Sequence, residues 1–446
     1  MRGSSPPIGS IRPATGGGVG EDLLAFVEEI LPLRRCITGD GLRQTLAAIG
    51  RRVPIRTTQV PSGTRVGDWT VPPEWRVREA HVALPGGPRV VDWVDSPLHL
   101  VQYSQPVRER MTLRALRPHL HTLPALPALV PYRTSYYAPS WGFCLSQDAL
   151  DALTTAVGED GELDVVIDAE HVEGDMDYGE VIVPGRTPDE ILLSAHVCHP
   201  ALANDNAASI AVATALARRL LDGPRPRHTI RFLFAPGTIG AIAWLAQGGA
   251  ERVRHGLVLA NLGDGGSLVY KRSRRGTLGD PLDVDRAVEV AARDRGAPLE
   301  VRPFTPDGYD ERQFGSPAVD LAVGRLTRTP HGEYPEYHTS GDRLDLLRPE
   351  ALAESLAVLG GAVEILDAND RYCNPAVGEP QLGRRGLYGA GRDYQALLWV
   401  LNMADGEHSL LDTAERSGLP FAAIRGAADR LLDAGLLTPA SSHPAP

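Results

Sequence analysis

From about Leu163 onward the chain alternates between short strand-like runs and longer helical patterns, and this rhythm limits the fold more than any other feature. Leu163–Ile167, Glu190–His196, Thr229–Ala235 and His255–Asn261 read as strands, dense in apolar and β-branched side chains. Asn206–Leu221, Thr238–Gln247, Asp285–Asp294 and Glu350–Leu366 place apolar residues at helical spacing. Strand and helix in alternation predict an α/β fold, a sheet with helices on both faces. In such sheets ligands are held beyond the strand ends, so those loops are where chemistry should be sought.

The run Glu190–His196 ends in such a loop, Ser194-Ala-His-Val-Cys-His-Pro-Ala-Leu-Ala-Asn-Asp-Asn206. Imidazole and carboxylate together suit zinc or a similar divalent ion. In extended backbone His196 and Cys198 share one face and His199 the other, so His196 is the first candidate ligand. His199 is either a further ligand or a residue that orients one, and Cys198 is a candidate for the same supporting place. Asp205 is a ligand candidate, with capping of the following helix as the alternative.

Two later segments extend the pattern. Asn261-Leu-Gly-Asp-Gly-Gly266 follows another strand and offers Asp264, either as a ligand or as an ordinary turn residue. It leads into Tyr270-Lys-Arg-Ser-Arg-Arg275, whose charge would bind a substrate carboxylate or phosphate, or else be solvated. Lys271 is the only lysine among 45 basic residues, a place where a compact ammonium matters or where one codon survived by chance. Pro330–Asp342 adds His331 and His338, with Glu333 and Glu336 as candidate proton acceptors for metal-assisted amide hydrolysis and Asp342 as a candidate supporting residue. Tyr136, Tyr137 and Trp141 either shape a pocket or fill a core.

The rest of the chain frames this core. Met1–Gly20, rich in Gly, Pro and Ser, reads as a flexible tail without a secretory apolar region. Glu21–Val53 carries two helical patterns, and residues 61–131 carry short strands broken by proline, a small β-rich insertion. Three short amphipathic helices, Tyr394–Met403, Ser409–Ser417 and Phe421–Ala434, suggest a winged-helix module over residues 384–446. That segment holds six arginines against seven acidic residues, so it lacks the basic footprint of a DNA reader, and domain packing or homo-oligomerisation is the better role.

Composition narrows the function further. A net charge of −11 argues against broad binding to nucleic acid or anionic membrane, and no apolar run is long enough to span a bilayer. A small-molecule substrate is favoured. The four cysteines have no paired spacing, which fits a reducing cytoplasm.

With these segments in view, the chain resembles the bacterial aminopeptidase-like proteins of polysaccharide and natural-product gene clusters, related to the zinc aminopeptidase and glutaminyl cyclase clan. The resemblance rests on Asp68-Trp-Thr-Val-Pro, Leu98-His-Leu-Val-Gln-Tyr-Ser, Pro131-Tyr-Arg-Thr-Ser-Tyr-Tyr, Trp141-Gly-Phe-Cys, the His196–Asn206 motif, Tyr270–Arg275, Gly308-Tyr-Asp-Glu-Arg-Gln and Thr329–Asp342. It implies a three-layer α/β/α core with a mixed sheet over residues 21–60 and 132–380, the inserted β domain, and the C-terminal winged helix. It likens His196 and Asp205 to the clan's first histidine and bridging aspartate, Asp264 to its later aspartate, and His338 to its last histidine. Lys271, Arg272, Tyr309, Asp310, Glu311 and Arg312 are candidates for substrate binding.

Where the clan carries paired glutamates, this chain has Pro236-Gly-Thr-Ile-Gly240. One zinc ion is therefore expected rather than two, and the general base must come from Glu333, Glu336, Glu311 or Asp310. The function implied is a metal-dependent hydrolase of an amide or peptide-like bond in a small molecule. Metal-dependent cyclisation or acyl transfer, and a non-catalytic binding or scaffold role, are the alternatives.

Overall fold

The structure, a computed structural model, describes residues 17–440. At its centre lies an eight-stranded sheet in the order Arg56–Pro61, Asp175–Val183, Thr229–Ala235, Glu190–His196, Val253–Leu259, Val323–Thr327, Leu268–Lys271, Leu299–Arg302. The strands from Thr229–Ala235 to Val323–Thr327 run parallel. Antiparallel pairings on either side of them make the sheet mixed.

Burial on both faces explains the sequence of the central strands. In Glu190–His196 every residue is buried, with Ile191, Leu193 and Ala195 facing one core and Leu192 the other. A strand covered on both sides has no solvent face to make polar, so it reads as a continuous apolar run. Helices Gly17–Ile30, Ser209–Leu221, Asp283–Arg295 and Pro349–Ala368 contribute to the first core. Helix Ile239–Ala246 and a second sheet cover the other face.

That second sheet corrects one expectation. It is four-stranded and antiparallel, ordered Arg89–Asp92, Glu74–Ala83, Glu162–Val172, Val107–Thr112. Leu163–Ile167, expected to open the α/β alternation, lies in its interior and pairs on both sides. An insertion confined to residues 61–131 would lack this strand. Half-buried alternation looks the same in either sheet, and only the partner strands, contributed from earlier in the chain, decide which one is joined. Arg43 ties the layers together, donating to Asp177 of the central sheet at 2.9 Å and to Glu74 of the second at 3.2 Å.

Both ends of the chain differ in detail from expectation. Residues 17–20, expected in the tail, begin the helix Gly17–Ile30, while residues 1–16 lie outside the described residues. The winged helix starts before residue 384, because Arg371–Cys373 is the middle strand of its small sheet, between Asp405–Ser409 and Thr438–Pro439. Its helices are Arg392–Met403, Leu410–Ser417 and Phe421–Asp433. Among the described residues no helix is long and apolar enough to cross a membrane.

Candidate active site

The four parallel strands deliver their following loops to one edge of the sheet, and the histidine-bearing segments arrive there together. His196 is the last residue of its strand. The next segment passes through an irregular turn, Ala203–Ala208, in which Asp205 has non-helical backbone angles and does not cap a helix. Asp342 holds that turn in place, accepting the backbone N–H groups of Asn204 at 2.6 Å and Asp205 at 3.0 Å. The fourth loop brings His338, whose carbonyl accepts from the backbone N–H of Tyr132 at 2.7 Å.

Asp205 is fully buried and lies between imidazoles. His196 Nε2 is 2.9 Å from its Oδ1, and His338 Nε2 is 3.0 Å from its Oδ2. His199 completes the cluster; one ligand atom each from His196, His199 and Asp205 lie within 4.8 Å of one another. Aromatic rings fix the imidazoles: Tyr309 stacks on His196 with centroids 5.1 Å apart, and Tyr337 on His338 at 3.9 Å. Asn206 Nδ2 stands 3.2 Å from His196 Nδ1, which orients that ring from behind.

The electrostatics suit a cation. Burial alone would raise the Asp205 carboxyl, but the neighbouring histidines hold it well below the usual carboxylate range. Burial keeps the His199 ring well below its ordinary value, so that it stays neutral. A neutral imidazole and an ionised carboxylate are the forms that bind metal.

Several nominated residues lie elsewhere. Asp264 is not in the cluster: its carboxylate accepts from Asn204 Nδ2 at 2.9 Å, Gly266 N at 2.7 Å, and Thr329 N and Oγ1 at 3.2 and 2.6 Å. Those donors occupy both oxygens, and it organises the turn instead. Glu333 is exposed and paired with Arg302, while Glu336 packs against Gly341, and neither lines the cavity described below. Lys271 is buried in an ion pair with Glu311 at 2.8 Å, and Arg272 pairs with Glu289 at 2.8 Å. Arg274 and Arg275 pair with Asp320, so the basic segment is spent within the fold.

A cavity of about 770 Å³ opens over the cluster. His196, Cys198, His199, Tyr309, Asp310, Arg312 and His338 all line it, with His331 farther along. Tyr136 and Tyr137 contribute aromatic wall, whereas Trp141 stacks on His119 instead, at 3.6 Å. Arg133, Thr238 and Gln313 also line it; they were not singled out in sequence, although each lies in a segment that was.

Asp310 is the only carboxylate among the described residues lining this cavity. It is 3% exposed, and its Oδ1 accepts the backbone N–H of Thr238 at 2.7 Å. Thr238 belongs to the segment that lacks paired glutamates, so a carboxylate from a different loop reaches that place. Burial pushes Asp310 up to about 6.

A mixed-sheet α/β core with histidines gathered around a buried aspartate at its parallel strand ends defines an aminopeptidase-like class of protein. Residues 24–369 match the family described as a domain of unknown function, DUF4910, and the chain belongs to that family. Residues 370–439 match the winged helix-turn-helix family. A Clostridium acetobutylicum protein called "Putative polysaccharide biosynthesis protein with aminopeptidase-like domain" is 40% identical over 429 residues, covering 94% of this chain and 96% of its own length. The crystal structure of a "putative peptidase" from the same species superposes with a TM-score of 0.88 at 39% identity, over 95% of this chain and 97% of that one. The zinc aminopeptidase of Bacillus subtilis shares the fold at 14% identity, with a TM-score of 0.57 over 77% of this chain and 94% of its own.

Proposed function

We propose that this chain is a metal-dependent hydrolase of an amide or peptide-like bond in a small molecule, working with one zinc-like ion. The observation that carries this is the Asp205 carboxylate, buried and flanked by one imidazole on each oxygen at the edge of a cavity. Nitrogen and carboxylate donors from His196, His199 and Asp205, with His338 on the other Asp205 oxygen, match the set that zinc takes, and the open cavity leaves room for substrate. When bound, such an ion polarises a carbonyl and acidifies water.

The chain's own groups supply the rest. Asp310, whose Oδ1 is held by Thr238, accepts through Oδ2 the proton of the attacking water and returns it to the departing amine. Tyr309 and Tyr337 keep the imidazoles in place and help to exclude water. The relative's name supports placing the substrate in polysaccharide biosynthesis.

The absence of paired glutamates at Pro236–Gly240 favours a second reading, a binding protein that keeps the fold. Zinc-loaded protein assayed against a panel of aminoacyl and N-acyl amides separates the two. Turnover cut by about a hundredfold or more in Asp310→Asn with zinc retained supports the hydrolase; stoichiometric zinc without any turnover in the parent supports the binder.

A further inference from the structure

Among the described residues, neither cavity arginine forms an ion pair. Arg312 makes one long contact, from Nη2 to Thr238 Oγ1 at 3.5 Å, and its Nε is buried without a partner. Arg133 stands exposed on the cavity wall. A guanidinium on the cavity wall whose Nε is buried without an acceptor points to a ligand. A desolvated guanidinium N–H without an acceptor is costly, and a carboxylate or phosphate matches its fork.

The ionic cluster behind the cavity is internally paired and does not use Arg312. Gly308 lines the cavity, and directly behind it lies a buried cluster in which Lys271 is 2.8 Å and Arg325 3.4 Å from the single carboxylate of Glu311. The Asp307 carboxylate also acts on Lys271, so two carboxylates face the two cations there. Gly308 leaves room for this cluster: a Cβ there would meet Glu311 Oε1 first, then Arg325 Nη1 at 2.7 Å and Lys271 Nζ at 3.1 Å. Arg325 also approaches the cavity-lining His331, 3.4 Å from its Nδ1.

We infer that the cavity holds an anionic group of its substrate, a carboxylate or phosphate, on the guanidinium of Arg312. This deepens the hydrolase reading and rests on it for the identity of the scissile bond, but anion binding itself needs no metal. Arg312 meets Thr238, which in turn meets Asp310, so the anion sits close to the reacting carbonyl rather than at a distant exosite.

Calorimetric titration of the full-length chain, with and without zinc, tests this using succinate, inorganic phosphate and the neutral analogue succinamide. In zinc-free protein, succinate or phosphate should bind at least tenfold more tightly than succinamide, and whichever binds better identifies the group. Arg312→Gln should lose that preference without changing zinc content, and Arg312→Lys should recover part of it. Equal binding of succinate, phosphate and succinamide, or an unchanged preference in a folded Arg312→Gln variant, would overturn the assignment. A chain that prefers anions yet takes up no zinc would remove the hydrolase proposal and leave the anion site standing.

Discussion

Lys271 explains itself once its surroundings are visible. Its ammonium donates to Thr305 O at 2.9 Å, Asp307 O at 2.6 Å and, at longer range, Thr305 Oγ1 at 3.4 Å, and pairs with Glu311 Oε1 at 2.8 Å, acceptors spread around a point charge. A planar guanidinium cannot meet that arrangement, which is why the sole lysine stands here. Lys271→Met should lower stability by about 3–5 kcal/mol in denaturant unfolding, because Glu311 loses its nearest cation while buried, and Lys271→Arg should recover only part of this. Asp310→Asn should reduce turnover by about a hundredfold to ten-thousandfold with metal content unchanged. Since Asp310 must be deprotonated to accept a proton, activity should rise with pH through a limb at or below about 6, and the variant's residual rate should lack that limb. That His196, Asp205 and His338 come together was legible from the His196–Asn206 loop at a strand end and, for His338, from the family resemblance. Asp264 was not, since an Asp before Gly-Gly has the same sequence whether it binds metal or closes a turn.

At the scale of elements, legibility followed length and burial. Glu190–His196 and Thr229–Ala235 were readable residue for residue because both faces are covered, whereas Arg371–Cys373 is too short to carry a pattern. The sheet joined by Glu162–Val172 could not be read locally, because its partners lie far back in the chain. The winged helix is fastened to helix Asp283–Arg295: Arg286 pairs with Asp412 at 2.5 Å and also with Glu415, while Asp294 accepts the backbone N–H of Phe421 at 2.7 Å. Arg286→Ala should weaken that docking by about 1–2 kcal/mol, seen as faster limited proteolysis between residues 374 and 391 with zinc content unaffected. Unchanged proteolysis would mean that apolar packing alone holds the module.

Across the whole molecule, parallel strands collect chemistry at one edge, an inserted sheet covers one face, and the C-terminal module packs against the far helices. The first turn of Phe421–Asp433, the helix that would enter a DNA groove in a reader of this type, is met by Asp294 of the core. With no basic excess in that module, mobility-shift titrations at low salt should show no binding that collapses steeply between 50 and 200 mM salt. Elemental analysis of the purified chain beside His196→Ala and His338→Ala tests the metal site most directly. Near-stoichiometric zinc in the parent and a large loss in both folded variants is the expected result; equal metal in all three, or none in the zinc-supplemented parent, would contradict it.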